Sequence, residues 1–61
     1  MEREVVKDIL TGIESVRARI IQADAEGNYT LLVELREDLL ALEHELVKHT
    51  KKLVEELEKA A

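Results

Sequence analysis

The residues of this chain that could do chemistry are few, and their spacing works against them. His44 and His49 are the only imidazoles. A two-histidine metal clip on a helix needs a spacing of four, so that both rings leave the same face. Five residues apart, these two rings diverge by about 140°. The carboxylate-bridged di-metal pattern, in which Glu stands three residues before His, fails as well, because Ala41 and Leu46 occupy those places. No cysteine is present, which excludes thiolate chemistry, disulfides and the common structural zinc sets. Glu43 and Glu45 invite a paired-carboxylate reading, but residues two apart do not face each other on a helix. Neither a nucleophile nor an oxyanion loop accompanies them, and Ser15 has no readable His–Asp partners. The acids therefore read as a solvated face, and the chain is expected to be no enzyme and to hold no metal or cofactor.

Charge narrows the choice of partners. Fourteen acids against nine bases leave a formal charge of −5, which opposes non-specific binding to nucleic acid. The cluster Lys48, Lys51 and Lys52 is balanced by Glu45, Glu55, Glu56 and Glu58. Intrahelical pairing, including Glu55 with Lys59, accounts for it without invoking phosphates or anionic membranes. The longest aliphatic run is Leu31-Leu32-Val33, where a spanning helix needs about 20 apolar residues. The stretch Met-Glu-Arg-Glu-Val-Val has neither the basic region nor the apolar core of a signal peptide. The expectation is a soluble chain, compatible with cytoplasmic expression, that uses neither nucleic acid nor membrane as a partner. Its location is left open.

The elements that must position any site are helices. Apolar residues fall at Val6, Ile9, Ile13, Val16, Ile20 and Ala23, alternating by three and four, which is a heptad seam. Glu2 and Glu4 suit the positive end of a helix dipole. The pattern stops at Gly27-Asn28-Tyr29-Thr30, where Gly27 can take the left-handed conformation that ends helices. Asn28 is then a good cap for the next helix, with Thr30 competing. The second seam is Leu32, Leu35, Leu39, Leu42 and Leu46, then His49 or Thr50, then Leu53. These limits predict a single all-α hairpin domain over 1–61, with a helix at 2–26, a turn at 27–29 and a helix at 30–60. Antiparallel packing places Leu39 near Val16, Leu42 near Ile13 and Leu46 near Ile9.

Helix two carries more than a seam. Val33, Leu40, Val47 and Val54 recur every seven residues, roughly 100° around the helix from the first row. A single partner helix covers only one side, so this flank stays wet in a lone hairpin. Leu57 lies past the start of helix one and has no partner there. Burying one Val or Leu is worth about 1.5–3 kcal/mol, and small domains have little stability to spare. Association follows: Val33, Leu40, Val47, Val54 and Leu57 form the expected interface. Two hairpins closing an antiparallel four-helix bundle is the simplest arrangement, and a trimer of hairpins is its rival.

His49 and Thr50 interrupt the seam. They are a candidate polar core, setting register or making association pH-sensitive. The other reading is a face that drifts through Thr50, Leu53 and Leu57, so that both side chains reach water. Gly12, inside helix one, costs about 0.8–1 kcal/mol relative to Ala. Either it permits close approach beside Ile13 or it is merely tolerated.

The tail Lys51-Lys52-Leu53-Val54-Glu55-Glu56-Leu57-Glu58-Lys59-Ala60-Ala61, the absence of Pro, Cys, Trp and Phe, and the short Gly27-Asn28 connection resemble computationally designed helical-bundle proteins. The resemblance spans the chain in style and rests on no diagnostic motif. The less regular stretch from Thr11 to Asn28 departs from it. The Gly27-Asn28-Tyr29 turn is also similar to those of helical-hairpin adaptor repeats such as the tetratricopeptide family, whose arrays exceed this chain. The resulting expectation is a structural self-assembly module, a homodimer or trimer of hairpins. One alternative is a module presenting helix two to a different protein. Another is a bundle responsive to pH or metal through His49.

Overall fold

The computed structural model describes residues 1–60. Two helices account for nearly all of them: α1, Glu2–Glu26, and α2, Tyr29–Ala60, with no strand among the described residues. No proline interrupts either helix, and Glu2 and Glu4 stand in the first turn of α1. Met1 precedes α1 without a side-chain cap; its carbonyl accepts from the Val5 N–H at 3.3 Å.

The connection is built from two residues with separate tasks. Gly27 adopts φ 69°, ψ 23°, the left-handed region. Its N–H donates to the Asp24 carbonyl at 3.1 Å, and the Asn28 N–H donates to Ala23 at 2.9 Å. Two carbonyls orphaned at the end of α1 are thereby satisfied. Asn28 then opens α2: its Oδ1 accepts from Leu31 N–H at 3.2 Å, and its carbonyl accepts from Leu32 N–H at 3.0 Å. With Asn28 as the cap, α2 starts at Tyr29, one residue earlier than the expected turn of 27–29 allows.

The helices lie against each other in a hairpin-like pair. A methyl group on Gly12 would sit 3.6 Å from both terminal methyls of Leu42, and Glu2 reaches His49, so early α1 residues meet late α2 residues. Among the described residues only Ile13, Ala23 and Leu35 are buried. The rest of both seams, including Val6, Ile9, Val16, Ile20, Leu32, Leu39, Leu42, Leu46 and Leu53, is half-buried. Two cylinders touch along a line and enclose no interior, so the molecule is a rod of 50 × 14 × 12 Å. Its long dimension is close to that of α2 alone, roughly 48 Å at 1.5 Å per residue.

Candidate functional site

The outer row of α2 is an unshielded apolar lane. Val33 is 60% exposed, Leu40 59%, Val47 69% and Val54 48%. Their spacing of seven keeps them in one lane over some six turns of helix. Leu57 is also exposed, but it occupies a different place. It lines a groove at the open end of the pair with Met1, Glu2, Leu53 and Ala60. Met1 is itself almost wholly exposed, so it does not shield Val54. On α1, Leu10 and Ile21 are exposed beside the seam.

A second groove runs beside the outer row, lined by Ile20 of α1 and by Leu32, Arg36, Leu39, Leu40 and Glu43 of α2. Its floor is aliphatic and its rim carries one charge of each sign. Both Arg36 and Glu43 are exposed.

The polar residues of the seam part company. Thr50 is exposed and turns away from α1, whereas the His49 side chain retains only 19% of its exposure. The ring is held between helices: Nδ1 lies 2.7 Å from Glu2 Oε2, and Nε2 lies 3.3 Å from Glu45 Oε2 one turn earlier in α2. Carboxylates accept, so Nδ1–H donates to Glu2. Donating from both nitrogens at once requires the doubly protonated ring; a neutral ring serves one carboxylate only. Glu2 was legible in the sequence only as a helix-dipole acid. Its meeting with His49 depends on the register of the open end, which the heptad rows fix only to within a turn.

The two carboxylates engage different ring nitrogens, so they do not converge on one point. Among the described residues no group of three or more His, Cys, Asp or Glu could hold a metal ion. His44 is exposed and forms no ion pair among the described residues. Glu43 and Glu45 part as helix geometry requires, Glu45 toward His49 and Glu43 toward the groove. No helix among the described residues is long and apolar enough to cross a membrane. No family model, curated protein or solved structure matches the chain.

Proposed function

We propose that the chain is a self-associating helical module whose interface is the outer row of α2, and that two hairpins close into an antiparallel four-helix bundle. The observation that carries this reading is the exposure of Val33, Leu40, Val47 and Val54 in one continuous lane. The area supports it. The isolated pair exposes 4994 Å², whereas a compact monomer of 7.0 kDa exposes about 4000 Å² by the surface–mass relation. The excess is comparable to the roughly 800 Å² that each partner buries in a standard specific interface. A contiguous row of exposed aliphatic side chains is the kind of surface that marks interaction sites in soluble proteins. Each Val or Leu of the lane is already part-covered by its own helix pair, so complete covering adds roughly half of the 1.5–3 kcal/mol that full burial of such a side chain is worth.

The test is molar mass by sedimentation or light scattering at micromolar concentration. The expected result is twice the chain mass, falling to the chain mass when Leu40 and Val47 are both replaced by Glu. A double variant that keeps the parental mass removes the lane from the interface. A parental monomer overturns self-association and leaves presentation of α2 to a different protein as the reading to pursue.

A further inference from the structure

We infer that the partner is a second copy of this chain docked with its α2 antiparallel to the first, in the register that sets Arg36 of each copy beside Glu43 of the other. This rests on the self-association proposed above and adds the orientation, the register and the residues that select them.

Arg36 and Glu43 differ from every other charged residue of α2. On a helix the neighbours of a side chain stand three and four residues away. For Arg36 these are Leu32, Val33, Leu39 and Leu40; for Glu43 they are Leu39, Leu40, Leu46 and Val47. All are Leu or Val, a surrounding that no other charged residue of α2 has. Neither residue can find a counter-charge within its own helix. Among the described residues the only ion pairs are those of His49 with Glu2 and Glu45, so α1 supplies none either. Each charge thus stands alone on an apolar belt, at the rim of the Ile20–Leu32–Leu39–Leu40 groove.

Their relation to each other points to the occupant. They are seven residues apart, opposite in sign, and in one lane, roughly 10.5 Å from one another along the axis. A twofold contact requires that if Arg36 meets Glu43 of the mate, then Glu43 meets the mate's Arg36. Antiparallel α2 helices with the axis beside Leu39 and Leu40 satisfy both at once. The same register sets Leu40 against Leu39, Leu32 against Val47 and Val33 against Leu46 of the mate, so apolar residues meet apolar residues on either side of the charges. One heptad further out, Tyr29 of each copy comes level with Thr50 of the other, so this register covers Val33, Leu40 and Val47 of the lane and leaves Val54 beyond the start of the mate's α2. A parallel arrangement, including a trimer with α2 about its axis, sets Arg36 beside Arg36 and Glu43 beside Glu43, which like-charge repulsion opposes.

Charge exchange tests the register. Arg36→Glu places acid against acid at both contacts of the pair, and Glu43→Arg places base against base. Each variant alone is expected to dimerise at least about tenfold more weakly than the parent by sedimentation, since facing like charges cost more than one decade of affinity. An equimolar mixture of R36E and E43R regains opposite charges at both contacts. It is expected to run at dimer mass where each component alone is monomeric. The double variant R36E/E43R is expected to regain the parental dissociation constant. Helical circular dichroism, read on every sample, reports folding: a single variant that loses helix and regains it in the mixture supports the register equally. Single variants with parental affinity, or a mixture no tighter than its components, overturn this register while leaving self-association standing. A parent that is monomeric throughout overturns the association itself.

Discussion

Gly12 shows what a single residue contributes when its freedom is not used. It lies inside α1 in ordinary helical backbone, since Gly27 is the only residue with positive φ among those described. A methyl added to it would meet Leu42 at ordinary van der Waals distance. Gly12→Ala is therefore expected to raise stability by about 0.5–1 kcal/mol, through reduced freedom of the unfolded chain and a new contact. Urea titration at fixed protein concentration reads this directly, and a destabilised variant would mean that α1 and α2 sit closer together there. The sequence could not choose between close approach and simple tolerance, because the answer depends on the distance to Leu42 and not on any local pattern. The same holds for His49 and Thr50. Adjacent in sequence, they are separated by the 100° step of the helix, and only the orientation of α2 decides which of them meets Glu2.

At the scale of elements the local signals were stronger. The heptad seams, the glycine able to turn left-handed and the asparagine able to cap are all encoded within a few residues, and they act where they stand: Gly27 closes α1 and Asn28 opens α2. Whether α2 begins at Tyr29 or one residue later is not fixed by local signals, because the cap and the first helical residue are distinguished only by backbone angles. The left-handed angle at Gly27 gives a direct expectation. Gly27→Ala places a Cβ in a conformation costing about 1–2 kcal/mol, although the space around it is open, with nothing within 4 Å. A loss of about 1 kcal/mol in urea titration, with helix content unchanged at low denaturant, is the expected result; no loss would mean that the turn readily takes another form.

For the whole molecule, the decisive quantity is how little two helices can hide. Three buried residues among those described are a small core, and the width of the apolar belt on α2 makes that shortfall legible from spacing alone. The lane Val33–Leu40–Val47–Val54 needed only helical geometry. The isolation of Arg36 and Glu43 among Leu and Val neighbours is likewise contained in the heptad rows. What spacing does not contain is where along the rod shielding is greatest. Ala23 and Leu35, each 1% exposed, flank the connection, and Ile13 lies midway along α1, whereas none of the described residues is buried at the end where Met1 and Ala60 share a groove. The two-residue connection also makes the entropy of bringing the helices together small. The consequence is a gradient of local opening: the pair is expected to loosen first at the Met1–Ala60 end and last beside Gly27–Asn28. Amide hydrogens near Ala23 and Leu35 should then exchange slowest and those after Leu53 fastest, a gradient that proton exchange followed by NMR will display.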